Sequence, residues 1–297
     1  MKTKWINLST IVLVTIAFSL FVVSCEKDEV KQGRPDHAGI PDHAKIPDHV
    51  IIPDQAQRME AHTVTDIDGN VYPIVKIGEQ WWMAENLKTT KYNDGTEIPL
   101  KEDDEDWFDE AGWPYTASPS YCWYENDYDT YGSVYGALYN WYAIDPGSNE
   151  DKNICPAGWR IPTDADWTLL ADYLMDKYDL HNDGRSIEIN GVGNALKSCR
   201  QVGSPLCGEC DTDEHPRWNY HWIHYGTDDF GFSAFPGYYR SVTGDFPPTV
   251  GRAGFWWSST EYAPVFALSR TIVVGRGNMA GPISNKNSGF SVRCIKE

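Results

Sequence analysis

Apolar residues recur at Trp167, Leu170, Ala171, Leu174 and Tyr178, the i, i+3, i+4, i+7, i+11 stripe of an amphipathic helix of about four turns. Immediately before it, Thr163-Asp164-Ala165-Asp166 pairs a hydroxyl that can accept from the backbone three residues on with a carboxylate that can reach back. That is a capping box, with Pro162 just outside it and Gly184 as the stop. A less regular stripe, Val134, Leu138, Trp141 and Tyr142, predicts another helix over 131–144, closed by Gly147 after Pro146. Gly132 and Gly136 inside it each cost about 1 kcal/mol.

Elsewhere the pattern is that of strands. Val64 and Val71–Ile77 flank Asp66-Ile67-Asp68-Gly69-Asn70 as a hairpin, and Gly78-Glu79-Gln80 turns into Trp81-Trp82-Met83-Ala84, which completes a β-meander. Another turn is expected at 91–96, a solvated acidic loop at 101–110 around Trp107-Phe108, and a short turn or helix at 194–197. The final third reads as glycine-punctuated β structure at 231–235, 254–260, 265–274 and 289–295, with Phe290, Val292 and Cys294 on one face. Helices between an N-terminal meander and a C-terminal sheet make the class α+β. Cys155 stands just before the best-marked helix and Cys294 ends the last strand, so a disulfide between them would fasten the two.

The first 24 residues carry Lys2 and Lys4, then a long apolar run, and end at Ser24-Cys25, which is a secretion signal. Val22-Val23-Ser24-Cys25 resembles the lipobox of bacterial lipoproteins, which implies that Cys25 is acylated and anchors the chain in the outer membrane. The alternative is an uncleaved anchor of about 18 to 20 apolar residues. Either reading puts the rest outside the cytoplasm. Glu26-Lys27-Asp28-Glu29 looks like the export tag of Bacteroidetes-type surface lipoproteins, so the expected location is the exposed outer face.

Residues 25–60 read as a stalk. Pro35-Asp36-His37, Pro41-Asp42-His43, Pro47-Asp48-His49 and Pro53-Asp54-Gln55 repeat with a period of six, and proline at that spacing favours extended backbone. The same stiffness keeps the three histidines from converging on one metal ion. The folded domain is expected over 61–297.

Composition narrows the partners. The formal charge of −18 becomes −20 once Lys2 and Lys4 leave with the signal, and so acidic a surface repels nucleic acid and anionic lipid. With Cys25 lipidated, six of the seven cysteines remain, an even number that suits disulfides in an oxidising compartment.

Several blocks resemble, in order, the Fibrobacter succinogenes major paralogous domain. They are Trp81-Trp82-Met83-Ala84-Glu85-Asn86-Leu87, Tyr121-Cys122-Trp123-Tyr124, Tyr135-Gly136-Ala137-Leu138-Tyr139-Asn140-Trp141, Cys155-Pro156-Ala157-Gly158-Trp159-Arg160-Ile161-Pro162, Gly231-Phe232-Ser233-Ala234, Trp256-Trp257-Ser258-Ser259-Thr260 and Gly289-Phe290-Ser291-Val292-Arg293-Cys294. The resemblance implies a surface lipoprotein with a C-type lectin-like fold, two helices with small antiparallel sheets stapled by a long-range disulfide. It places Cys155 and Cys294 at the corresponding points and carries no assigned reaction.

Residues 199–222 match no family block and read as an insertion, expected to be removable without loss of the fold. Its Cys207-Gly208-Glu209-Cys210 lacks the second pair a zinc site needs, and a local disulfide from Cys199 to Cys207 or to Cys210 is expected instead. Cys122, between Tyr121 and Trp123, is expected as a buried thiol. A glycosidase needs two facing carboxylates, and Asp228, Asp229, Glu85 and Glu261 form no paired motif. His215, His221 and His224 cluster without a nucleophile. Lectin-type calcium binding would use a Glu-Pro-Asn or Gln-Pro-Asp loop and a Trp-Asn-Asp strand, whereas Arg217-Trp218-Asn219-Tyr220 lacks the aspartate. No catalytic residue, metal site or cofactor is therefore assigned, calcium having no recognised motif. Trp218, Tyr220 and Trp222 are expected to be exposed and to stack on a ligand. The reading is a non-catalytic binding or adhesion module for carbohydrate or a host or matrix protein, with a secreted carbohydrate-active hydrolase as the alternative.

Overall fold

The computed structural model describes residues 62–107, 118–184, 189–248 and 250–297. The signal segment, Cys25, the stalk and Phe108 lie outside them. β1 (Thr63–Thr65) and β2 (Val71–Ile77) pair antiparallel in the register Thr65↔Val71. The Asp66 carboxylate holds their turn, accepting from the Asn70 amide at 2.9 Å and the Tyr72 hydroxyl at 2.6 Å. β3 (Gln80–Met83) completes the meander against β2.

α1 (Asp104–Trp107) replaces the expected acidic loop. Its acids occupy the first turn, where the helix dipole favours them, while Trp107 turns inward and donates from its indole to the Asn287 carbonyl at 2.9 Å. The helix expected over 131–144 is also not formed. It shortens to α2 (Ser133–Tyr135), preceded by β4 (Tyr121–Cys122) and followed by β5 (Leu138–Tyr139). The break is at Gly136, whose φ of 85° no other residue type adopts readily, and a Cβ there would stand 2.8 Å from Asn86 Cβ and 2.9 Å from Leu87 O. Beyond it, Leu138 and Tyr139 pair with Cys122 and Tyr121 and are both buried, while Trp141 and Tyr142 fall in a separate 3-10 turn, Trp141–Ala143, so the apolar spacing is divided among three short elements.

After β6 (Trp159–Arg160), α3 (Asp164–Tyr178) starts at the expected capping box: Thr163 Oγ1 accepts from the Asp166 amide at 3.1 Å and Asp166 accepts from the Thr163 amide at 2.7 Å. Arg160 forks onto the same carboxylate at 2.7 and 3.0 Å. Burial pushes the Asp166 pKa up, but the hydrogen bonds from Arg160 and Thr163 outweigh it and leave it below its ordinary value. The helix ends at Tyr178, with Asp179 left-handed, before Gly184 is reached. Thr163→Ala should cost about 1 kcal/mol in chemical unfolding. The Asp166 contribution should be present at neutral pH and lost as pH falls through its lowered folded value, which a urea titration below pH 4 would read.

α4 (Val192–Leu196) leads into β7 (Ala253–Ala263), β8 (Phe266–Val273), β9 (Met279–Ala280), β10 (Ile283–Asn285) and β11 (Ile295–Lys296). Of the strands expected in the last third, 231–235 is irregular, joined by a single bridge between Lys197 and Ala234. One sheet runs β1-β2-β3-β11-β6, and β11 inserts its Ile295 between Trp82 and Arg160; a second runs β10-β8-β7 with β9 on β8. The result is a mixed α/β fold of mostly antiparallel sheets with few helices.

The stripe of α3 packs on the sheets through Trp167, whose ring centroid lies 4.6 Å from Trp82 and 6.5 Å from Trp256. Cys155 and Cys294 are bridged with 6.0 Å between Cα atoms, both buried beside Phe290 and Val292. Cys199 bridges Cys210, taking that partner of the two expected. Cys122 is a buried thiol whose pKa burial pushes up to about 12 against the pull of Arg240.

Candidate ligand-binding loop

The region from Lys197 to Gly226 is built from the inside outward. At the end of α4 the Lys197 side chain turns into the protein, where its ammonium donates to the carbonyls of Arg276 at 2.8 Å and of His224 and Val274 at 3.3 Å. It also lies 5.2 Å from the centre of the Trp218 ring. Burial alone pulls its pKa down to about 7.

Gln201 is the next fixed point. Its amide donates to Cys210 O at 2.9 Å and its carbonyl accepts from Thr212 N at 3.2 Å, while Trp218 N donates to Arg200 O at 2.8 Å, so three stretches of the region lie side by side. The Cys199–Cys210 bridge closes this small ladder covalently. The Gln201 side chain then holds His221 through both of its backbone groups, donating to His221 O at 3.3 Å and accepting from His221 N at 3.1 Å.

Of the three aromatic residues expected at the surface, Trp218 is not there. It is 0% exposed and donates from its indole to Ala234 O at 3.0 Å, in the same core as Trp82, Trp167 and Trp256. The segment 199–222 therefore supplies part of the core, and its removal would not leave the fold intact. The reason lies in residues distant in sequence, since Lys197, Phe232 and Ala234 make the niche that an isolated Arg-Trp-Asn-Tyr does not reveal. Tyr220 and Trp222 are exposed, 60% and 71%. Tyr220 rests against Gly203, whose missing Cβ would stand 3.5 Å from the ring. Asn219 N donates to Gly251 O at 2.8 Å and Gly226 N to Asn194 Oδ1 at 3.0 Å, so both ends of the stretch bearing the two aromatics are tied down.

The three histidines separate. Tyr135 Oη is 2.7 Å from His215 Nδ1 and accepts from the Arg217 amide at 3.0 Å, whereas His221 and His224 stack with centroids 5.1 Å apart. The four acids considered for glycoside hydrolysis are each engaged locally. Asp228 accepts from Ser233 N and Oγ at 2.7 and 2.6 Å, Asp229 from Thr227 Oγ1 at 2.9 Å, Glu85 pairs with Lys88 at 3.0 Å and Glu261 with Lys286 at 2.6 Å. Among the described residues, no three His, Cys, Asp or Glu side chains are grouped to hold a metal ion. A separate cleft of ≈ 310 Å³ has Ile144, Ile154 and Ile161 in its lining, with Lys152 and Arg160 already paired to Glu150 and Asp166.

The loop could have been located from sequence by its aromatic density, but which ring faces water could not. The His221 turn and the inward Lys197 carried no sequence signal, because both depend on carbonyls of remote segments. The chain matches no curated protein and no solved structure. The family model described as Fibrobacter succinogenes major domain matches residues 75–296.

Proposed function

Since the chain belongs to the Fibrobacter succinogenes major domain family, we propose that it is a lipid-anchored outer-membrane surface protein whose domain binds a carbohydrate or a host or matrix protein without transforming it. The observation that carries this reading is the pair of exposed rings, Tyr220 and Trp222, on a loop tied at both ends. Large rigid rings lose little conformational entropy on contact and offer apolar faces to sugars or side chains. The acidic charge favours a neutral or cationic ligand. Few helices with small antiparallel sheets, stapled across the chain by Cys155 and Cys294, support a likeness to the C-type lectin fold.

A glycan and extracellular-matrix array probed with the full chain tests the reading. Trp222→Ala and Tyr220→Ala should each reduce affinity by about 2 kcal/mol, as central aromatic contacts do, with stability changed by less than about 0.5 kcal/mol. Trp218→Ala should instead cost about 3–5 kcal/mol of stability. Binding that survives both surface substitutions would discard the loop as the contact. For the anchor, Cys25→Ala should abolish fatty-acid labelling and release the chain from membranes, and continued labelling would refute it.

A further inference from the structure

We propose that the turn bearing Trp222 is a proton-operated latch, which holds the aromatic loop in place at neutral pH and lets it go in mild acid. The latch is a claim about the chain alone; its consequence for ligand binding rests on the binding reading above.

The latch is the His221 imidazole. Its Nδ1 accepts from two backbone groups, Ile223 N at 3.2 Å and His224 N at 2.9 Å, and so closes the turn in which Trp222 sits. A ring nitrogen that accepts from two N–H donors must carry its lone pair, which places the proton of the neutral ring on Nε2. Protonation turns Nδ1 into a donor facing two donors, and both bonds are lost together. No rearrangement of the ring repairs this, because imidazolium has no acceptor.

The neighbour makes the same demand. The His224 ring stacks on His221 at 5.1 Å and 17°, and its Nδ1 is buried without a hydrogen-bond partner, next to Gly277. A proton there would be an unsatisfied buried charge against a second imidazolium. The charges facing the pair are cationic. Lys197, from the end of α4, acts on both rings and holds His224 O, and the exposed Arg276 lies on the segment whose carbonyls Lys197 also binds. From the other packed elements come Gln201 and Asn194, which are neutral, while Asp229 acts on Tyr225.

Burial first, and Lys197 second, depress both histidines, His224 to about 4. Lys197 is drawn down to about 7 and is therefore charged throughout the acid range. The sign follows directly. An opened turn takes up protons at the ordinary histidine value of about 6.5, whereas the closed turn resists them, so closure is fully favoured above that pH and is lost progressively as pH falls from about 6.5 toward 4. What remains when the latch opens is a segment tied at Gln201 and at Asn194, with the indole between them free to move.

Backbone amide exchange on the full chain, corrected for the intrinsic pH dependence of exchange, reads this without any ligand. Protection at Ile223 and His224 should drop by about tenfold for each pH unit below 6 per proton taken up, while Trp218 N, bonded to Arg200 O, stays protected. In His221→Asn the amide oxygen can take the place of Nδ1 as a non-titrating acceptor, so protection at pH 7 should be retained. Adding His224→Phe, which keeps a stacked ring, should flatten the acid response. A wild-type profile that is level from pH 7 to 4.5, or a double variant that still loses protection, would overturn the latch. Trp222→Ala separates the two claims, for it should leave the exchange profile unchanged while weakening ligand binding by about thirtyfold. An unchanged profile with binding intact would sink the binding reading and spare the latch.

Discussion

Arg293→Leu should destabilise the domain by about 3–5 kcal/mol, the cost of removing one member of a buried charged network. Arg293 is fully buried between two disulfide-core residues, Val292 and Cys294. Its guanidinium donates to Phe232 O, to Ser233 O at 3.0 Å and to Asn86 Oδ1 at 3.1 Å, and lies 4.4 Å from the centre of the Phe232 ring. Those carbonyls belong to a segment whose backbone is left-handed at Asp228 (φ 48°) and Ser233 (φ 52°), a conformation that survives only where other contacts impose it.

Burial lowers the Arg293 pKa to about 9 against the attraction of Asp228 and Glu85, so it is still a cation at neutral pH. Leucine fills part of the volume but takes the donor from the Phe232 and Ser233 carbonyls, while Asn86 Oδ1 keeps its bond from the Trp256 indole at 2.8 Å. Lysine, with one ammonium, cannot satisfy three acceptors arrayed around a planar fork and should recover only part of the loss. Urea unfolding of the three proteins measures the series, and a leucine variant within about 1 kcal/mol of wild type would show that the network is energetically idle.

Breaking the Cys155–Cys294 bridge by a double change to alanine should cost about 5 kcal/mol, since the tie spans 139 residues and the loop-closure entropy it removes from the unfolded chain grows with that span. This is comparable with the net stability of a whole domain. The Cys199–Cys210 bridge spans 11 residues and should contribute about 3 kcal/mol on the same reasoning. Non-reducing peptide mapping should recover both linked pairs. Unfolding of the Cys155/Cys294 and Cys199/Cys210 double-alanine variants, compared with wild type, should then show the larger loss on removal of the long-range tie, and the reverse order would refute the entropic account.

The contrast between α3 and α2 shows how far sequence reasoning reached. The capping box that starts α3 lies within four residues of Thr163, and its apolar stripe faces one core, so the local pattern and the tertiary demand coincide, with Thr260 and Arg270 adding remote bonds to Asp164. Over 131–144 they conflict. Gly136 meets the backbone of Leu87, and Leu138 meets Cys122, contacts made by residues about 50 and 16 positions away, and these override a helical period. The acidic neighbours of Trp107 predict a solvated run, yet its indole is captured by a carbonyl 180 positions on.

By itself the sequence determined the acidic, disulfide-bearing class of chain, the hairpin at Asp66, the capped helix at Thr163, the pairing of Cys155 with Cys294 and the family blocks. Each of these is written in adjacent residues or in an ordered series of short motifs. Only the tertiary structure decided which tryptophan of the 199–222 segment is core and which is surface, and that Lys197 points inward. It also decided that His221 and His224, three residues apart, share one turn while His215 pairs with Tyr135. Burial and hydrogen bonding there are set by carbonyls and rings from 201, 234, 251 and 274–277, and a side chain's exposure is a property of what packs against it rather than of its neighbours in the chain.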